Sequence, residues 1–530
     1  MRNKKLERLL KAQFGRVPDG TDQPSDMQPI RGYDDYRERT SRDPFRIDDI
    51  TWNDLSMDKL FQRMNSAQST PGEQYLYHWL RTPAVTQDEY EKRYRLIRLM
   101  EGDAALRLAV EKILWRLGRA RLSQPARIFD AEKYESKRLF LYLTLSIGFA
   151  AAAVGLLCLQ VGILPLLFFM TVNGILHEYR LRRIRPDVEA VNYAVAMIFA
   201  LRRVQRLSSG PLDHLLAPAY QSLRHARAVL RTGGVSTDVQ QNPFLELANT
   251  FLLLDLIAYE RVKRRLWRCH EAFFDIHEAL GSCDAAIAVA SYRKSIEAFA
   301  EPTLDFDPRA SRRLIAKGLR HPLLTAPVPN DLTANAPLLI TGSNASGKST
   351  LLRTAALCAI MGQGVCTCLA ERYTASAFRV YTSMALTDDL LAGESYYITE
   401  LRALKRIMDA AGRGEAVLCV VDEVLRGTNT AERIAASRAV LLSLKRSGAL
   451  CLAATHDQEL CELLKNEYTL CHFEEQLTDG KMTFDYRLRE GPATTRNAIE
   501  LLRILGFDSA LVEQARQSAE AYLTQGRWDV

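Results

Sequence analysis

From Leu139 to Leu176 the chain runs for 38 residues without one charged side chain, and no other stretch restricts the fold as tightly. As a single helix this run would be about 57 Å long, nearly twice the roughly 30 Å hydrocarbon thickness of a bilayer. Gly162 and Pro165 lie past its middle and divide it into the arms Leu139–Leu159 and Ile163–Leu176. The first arm is long enough to span a bilayer; the second is short and needs thinning or help from its flanks. Lys133, Lys137 and Arg138 precede the run, and Arg180, Arg182, Arg183 and Arg185 follow it. A two-span hairpin with both ends on the cytoplasmic side satisfies the positive-inside rule. The competing arrangement is a buried soluble helix pair. Such a pair keeps a polar face, whereas Gln160 and Asn173 are almost the only polar side chains here apart from small hydroxyls. The expectation is a membrane hairpin.

The 530 residues as a whole are of globular composition, 47% hydrophobic and 25% charged, which excludes a mainly disordered or fibrous chain. Net charge is +7, and residues 132–185 hold seven Lys/Arg against three acids, +4 of that total. The basic excess therefore belongs more to the flanks of the apolar run than to a nucleic-acid footprint. Ten cysteines lie in apolar stretches with no C-x-x-C pair. This points to reduced thiols in a cytosolic compartment, not to a zinc module or disulfide framework. The N-terminus lacks the apolar stretch of a signal peptide. Residues 1–14 read as a short basic helix, either frayed or lying on a membrane surface, and 17–47 as a loop or tether. Helical spacing dominates 54–100 and 188–300, the latter suited to a lever more than to a catalytic lobe. After Pro302 the texture becomes α/β, with strands expected at 338–341, 418–421 and 450–455 and an edge strand at 483–489.

The chemistry sits in that last part. Gly342, Ser343, Asn344, Ala345, Ser346, Gly347, Lys348, Ser349 and Thr350 fit G-x-x-x-x-G-K-[ST] between an apolar strand and a helical stretch. The glycines let successive backbone N–H groups face phosphates at a helix N-terminus, with Lys348 reaching the β- and γ-phosphates and Ser349 the Mg²⁺. Asp422 and Glu423 end the strand 418–421. A carboxylate at the end of a parallel strand beside the phosphate loop can hold Mg²⁺ through a water, and the next one can polarise the attacking water. The bland alternative is a helix-capping acid pair. His456 ends the third strand and reads either as a γ-phosphate sensor or as a structural histidine.

Together ITGSNASGKST, DDLLAGES, VVDEVLRGTNTAER and AATHDQEL resemble the ATPase domain of the MutS family. VPNDL (328–332), REGPATTRNAIELLRILGF (489–507), HEALGSCDAAIAVA (277–290) and DLSMDKLFQRMNSAQSTPGEQYLYHWLRTP (54–83) extend the resemblance over roughly 50–110 and 265–520. It implies ATP and Mg²⁺ as cofactors, with the loop Gly342–Thr350 binding nucleotide and Ser349 and Asp422 on the metal side. Glu423 becomes the catalytic base beside Lys348, and His456 the switch histidine. Ser395 would act in trans on the partner's γ-phosphate, which makes nucleotide-dependent homodimerisation an expectation. The implied fold is an α/β P-loop NTPase domain (ABC/MutS-like) preceded by an all-α core and lever with an inserted two-helix transmembrane hairpin. The expected segments are 1–48 polar, 49–132 helical core, 133–187 hairpin with basic flanks, 188–305 core and lever, and 306–530 ATPase.

Two departures stand out. Pro327 replaces the aromatic that stacks on adenine, so base recognition is weaker or borrowed. About fifty residues precede the core, too few for a mismatch-recognition domain. The expected function is a membrane-anchored MutS-like ATPase with cytoplasmic termini, a switching dimer and an unknown protein partner. The alternative is a soluble or tethered, cytoplasmic DNA-binding member in repair or recombination. A transport-associated ATPase fits less well, because no LSGGQ-like stretch is present.

Overall fold

The computed structural model describes residues 2–18, 27–40, 45–120, 138–158, 162–207, 210–230, 243–343, 346–384, 396–425, 429–478, 481–492, 499, 502–503 and 506–525. The chain forms two compact units that cut across sequence order. One comprises residues 1–44, 61–81 and 91–296, the other residues 45–60, 82–90 and 297–530.

The first unit is helical. Its centre is the helix His270–Ser295, where Leu280, Cys283, Ala286, Ile287 and Val289 are buried, and it packs on the helix Thr70–Arg81. Small residues set the approach: a Cβ on Gly72 would lie 2.2 Å from Asp284 Oδ2, and one on Gly281 would lie 2.8 Å from the Pro71 carbonyl. Asp284 accepts from Gln68 N–H at 3.1 Å, Ser69 N–H at 2.8 Å and the Ser69 hydroxyl at 2.5 Å. It thus satisfies donors at the start of a helix other than its own. His277 Nε2 lies 2.8 Å from Gln74 Oε1. Two of the segments singled out by family resemblance, 54–83 and 277–290, meet here. Burial pushes the Asp284 carboxyl up to about 6; burial and the nearby Asp284 charge push Glu111 up to about 7.

The N-terminal segments differ from expectation. The helix Arg2–Gln13 buries Leu6 and Leu10 in the protein, so its apolar stripe does not face a membrane. The stretch read as a tether contains the helix Gln28–Thr40. There Tyr33 stacks on His277 at 4.5 Å and donates to Glu278 at 2.8 Å; long-range packing supplies what local periodicity lacked.

The apolar run forms a helix pair, Arg138–Cys158 and Leu164–Gln205. Arg180 Nε donates to the Tyr142 hydroxyl at 3.0 Å, Asn173 Nδ2 to the Leu145 carbonyl at 3.4 Å, and a Cβ on Gly148 would press on the Phe169 ring. These pairings run in opposite directions along the two helices, so the pair is antiparallel. Among the described residues one helix, Arg138–Cys158, is long and apolar enough to cross a membrane. The expected pair of spans is not supported. The second apolar arm does not end after Leu176 but continues as one 42-residue helix, running through Pro186, whose missing N–H costs one i→i−4 bond without ending the helix.

Among the described residues the second unit holds two sheets. The strands are β1 (Thr303–Asp305), β2 (Leu314–Leu319), β3 (Asn330–Ala334), β4 (Leu338–Thr341), β5 (Arg372–Ser376), β6 (Arg379–Ser383), β7 (Val417–Asp422), β8 (Leu450–Ala454), β9 (Thr469–Thr478) and β10 (Lys481–Glu490). One sheet has the order β1-β5-β2-β3, the other β10-β9-β4-β8-β7-β6. In the larger sheet all neighbours are parallel except β10 on β9. β4, β7 and β8 are buried along their whole length, as expected of parallel strands covered by helices on both faces. Strands β4, β7, β8 and β10 fall where alternation and apolar runs placed them.

Candidate functional site

β4 ends at Thr341, and the helix Lys348–Val365 begins after the glycine-bracketed loop. Gly342 and Gly347 have φ of 137° and 112°, a region that favours glycine. A Cβ on Gly342 would lie 2.9 Å from both the Phe473 carbonyl and Ser346 Oγ. Lys348 is buried, and its ammonium donates to the carbonyls of Gly342 at 2.6 Å and Ser343 at 2.7 Å. Ser346 Oγ is buried and makes no hydrogen bond among the described residues. Ser349 is half-buried and Thr350 exposed in the first helical turn. A curled loop with a buried cation at a helix N-terminus suits a polyphosphate. Asn344 and Ala345 lie outside the described residues, as does Ser395.

The carboxylate strand is not the neighbour of the phosphate-loop strand. β8 lies between them, which corrects the adjacency expected from sequence; strand order within a sheet is not written in chain order. The register compensates. Ile340 pairs with Ala454, and Ala454 pairs with Asp422, so three strand ends lie in one line across the sheet. The Thr455 N–H donates to the Ile340 carbonyl and the Glu423 N–H to the Ala454 carbonyl, each at 3.0 Å. With strands about 4.8 Å apart, the outer two ends are about 10 Å apart, with the His456 strand in the gap.

Asp422 is buried. Glu423 follows at φ 56° and Leu425 at φ 62°, a left-handed backbone that costs each about 1–2 kcal/mol. The turn is held against this cost. Leu425 N–H donates to Glu400 Oε1 at 2.5 Å, and the Ser437 hydroxyl to the Val424 carbonyl at 3.1 Å. Glu423 Oε1 lies 3.2 Å from His456 Nδ1, with the histidine 47% exposed and the glutamate 12%. The structure thus brings His456, after the middle strand of the line that starts at the phosphate loop, into contact with Glu423, after its far strand. Asp457 accepts a forked pair from Arg433, Nε at 3.2 Å and Nη2 at 2.7 Å. This ties the helix Thr430–Arg446 to the loop carrying His456. Glu400, Ser437 and Arg433 were not legible as site residues, because their contacts are long-range; Arg433 within TNTAER was the only hint.

Beside the phosphate loop lies a cavity of about 170 Å³ lined by His321, Pro327, Val328, Gly347, Phe473 and Tyr486 among others. That is less than the roughly 300–1,000 Å³ of whole-ligand pockets and suits one planar ring system. Phe473 and Tyr486 bring aromatic surface to a cavity where Pro327 supplies none. Tyr486 sits at φ 55° where the β9–β10 register shifts. Asn330, from VPNDL, fixes this bulge by donating to the Tyr486 carbonyl at 2.9 Å and accepting from Leu488 N–H at 2.7 Å. Burial, aided by the Arg353 charge, pushes His321 down to about 4. Leu323 N–H donates to its Nδ1 at 3.1 Å, so the proton of the neutral ring is on Nε2.

Residues 338–522 match the family model described as MutS domain V, with which the mixed α/β architecture is compatible. The chain is 27% identical over 507 residues to the DNA mismatch repair protein MutS of a Thermus thermophilus strain, covering 87% of this chain and 60% of that protein. It is 27% identical over 534 residues to the Thermus aquaticus protein of the same name, covering 93% and 65%. Over 276 residues it is 33% identical to the Natronomonas pharaonis DNA mismatch repair protein MutS, covering 49% and 31%. The chain therefore spans less than two thirds of the length of these curated relatives. The matches support a place among MutS-like proteins.

Proposed function

We propose that the chain is a MutS-family ATPase whose nucleotide cycle switches a homodimer acting on DNA in repair or recombination. The observation that carries the catalytic part is the single register line Ile340–Ala454–Asp422, which gathers the phosphate loop, His456 and the acid pair at one sheet edge. The loop from Gly342 to Thr350 holds the phosphates of ATP, and Lys348 answers their charge. Ser349 and Asp422 form a hard-oxygen donor set suited to Mg²⁺, which when bound neutralises phosphate charge. Glu423 takes the proton of the attacking water, and His456, in contact with it, orients that carboxylate. Ser395 completes the partner's site in the dimer. The DNA reading is supported by the names of the relatives, each a DNA mismatch repair protein.

The test is hydrolysis by the purified chain. Removal of a general base costs about 10²–10⁴-fold in rate, so Glu423→Gln should lower turnover by that factor, and Lys348→Ala should lower it by removing the cation that answers the phosphate charge. Turnover unchanged in both variants refutes the proposal. A gel-shift titration with duplex, junction and single-stranded DNA at low salt tests the DNA part, and absence of binding to all three removes it.

A second reading, membrane tethering, is supported by the surface of the hairpin. Phe140 is 77% exposed, Leu157 82%, Leu164 76% and Ile175 68%. The helix Arg138–Cys158 has only 11% of its apolar window buried and lies far from the N-terminus. Neither a core helix nor a signal sequence matches that description. In this reading both termini stay cytoplasmic.

A further inference from the structure

An ATP site must tell adenine from guanine. The cavity beside the phosphate loop takes two of its lining residues, His321 and Asn330, from one pair of strands. β2 and β3 run antiparallel, with Leu319 paired to Asn330. His321 follows β2 by two residues, and between them the Arg320 N–H anchors the chain by donating to the Leu369 carbonyl at 2.8 Å. Asn330 opens β3 and shapes the bulge that carries Tyr486. The imidazole and the ring that can stack on a base are thus both set by this strand pair. The polar groups of the cavity are not equally engaged. Asn330 is committed at both ends, to the Tyr486 carbonyl and the Leu488 N–H, and the Thr354 hydroxyl donates to the Thr350 carbonyl at 2.6 Å. His321 Nδ1 accepts from Leu323 N–H at 3.1 Å. Burial, with the Arg353 charge adding to it, pushes the imidazole down to about 4, so the ring is neutral at ordinary pH and its one proton is on Nε2. Among the described residues that N–H meets no acceptor, and no acidic side chain lines the cavity.

We propose that His321 is the residue that selects adenine, its Nε2–H donating to N1 of the base while Tyr486 supplies the stacking platform. A fixed donor with no carboxylate beside it suits a base edge that accepts. Both purines accept at N3 and N7; they differ at N1, which accepts in adenine and carries a proton in guanine. Guanine would set its own N1 proton against the imidazole donor and bring its 2-amino group to a cavity with no carboxylate to receive it, so donors on both sides would stay unpaired. This role for His321 rests on the ATP reading of the phosphate loop.

The test is calorimetric titration of the purified full chain with ATP, with GTP, with tripolyphosphate, and with 1-deaza-ATP, in which a C–H replaces N1. A buried polar group left unpaired costs about 5- to 150-fold in affinity. The parent chain should therefore bind ATP more tightly than either GTP or 1-deaza-ATP by that factor, a comparison that needs no variant. Asparagine sets an oxygen where Nδ1 stands, and glutamine sets an amide nitrogen where Nε2 stands. His321→Asn keeps an acceptor for Leu323 N–H and should bind ATP and 1-deaza-ATP alike. His321→Gln keeps a donor at the reading position and should retain the preference for ATP. Both variants should bind tripolyphosphate as the parent does, because the loop and Lys348 are untouched. A parent chain that binds ATP and tripolyphosphate yet does not distinguish ATP from 1-deaza-ATP overturns the role of His321 and leaves the ATP site standing. A preference that persists in His321→Asn also overturns that role. A chain that binds neither ATP nor tripolyphosphate overturns both.

Discussion

Replacing Tyr486 by alanine tests the cavity beside the phosphate loop. The ring is 45% exposed and close enough to Gly347 that a Cβ there would lie 3.3 Å from Tyr486 Cδ1. It therefore borders the point where the phosphate loop turns into its helix. A base stacked on an aromatic platform gains about 1–3 kcal/mol, so Tyr486→Ala should weaken ATP binding by about 5- to 150-fold. The phosphates are held elsewhere, by Lys348 and the loop. Tripolyphosphate, which has no base, should consequently bind Tyr486→Ala and the parent chain alike. Tyr486→Phe keeps the platform and should bind ATP normally. Asn330→Ala removes both side-chain hydrogen bonds that shape the bulge and should reproduce the loss without touching the ring. Calorimetric titration of each variant with ATP and with tripolyphosphate separates these outcomes. ATP affinity unchanged in Tyr486→Ala, or an equal loss for both ligands, refutes the assignment of this cavity to the base.

Other expectations follow from buried groups. Glu111 has its carboxyl raised from 4.5 to about 7, so the folded state binds the proton more tightly than the unfolded chain. Stability is then fully present below pH 4.5 and declines by about 3 kcal/mol as pH rises through 7. Glu111→Gln should flatten the decline of the melting temperature over that window; parallel curves for the two chains would contradict it. Asp284→Ala strips acceptors from Ser69 N–H, Gln68 N–H and the Ser69 hydroxyl, and at about 1–3 kcal/mol for each orphaned group should cost about 3 kcal/mol or more in denaturant unfolding. Gly342→Ala should abolish nucleotide binding, since its Cβ meets Phe473 and Ser346 at 2.9 Å; retained binding in a titration would show that the loop has room.

What could be read from the chain was what neighbouring residues share. A strand, a glycine turn and a helix around Lys348 are local, and so are the apolar runs that end in Asp422 and Ala454. The order of strands is not local. Nothing in the spacing of 338–341, 418–421 and 450–455 says that the last lies between the other two, and only the paired register shows it. The cavity was illegible for the same reason. His321 and Asn330 come from before the phosphate loop, Phe473 and Tyr486 from long after it, and no periodicity links them. The helix Gln28–Thr40 was misread as a tether because its partners, His277 and Glu278, lie some 245 residues away. For the hairpin, the turn near Gly162 and Pro165 was visible. The unbroken run to Gln205 was not, since a helix that changes from apolar to polar surroundings shows two textures in one rod.

That rod gives the molecule a mechanical property. A helix of 42 residues is about 63 Å long, and a tilt of about 5° at one end carries the other through about 5 Å. Pro186, near its middle, lacks the N–H that would close one i→i−4 bond, and it is a point where part of such a swing can be absorbed. Whatever grips the apolar tip will feel, amplified, each small reorientation of the bundle at the root, and any drag on the tip will be returned to that bundle as torque.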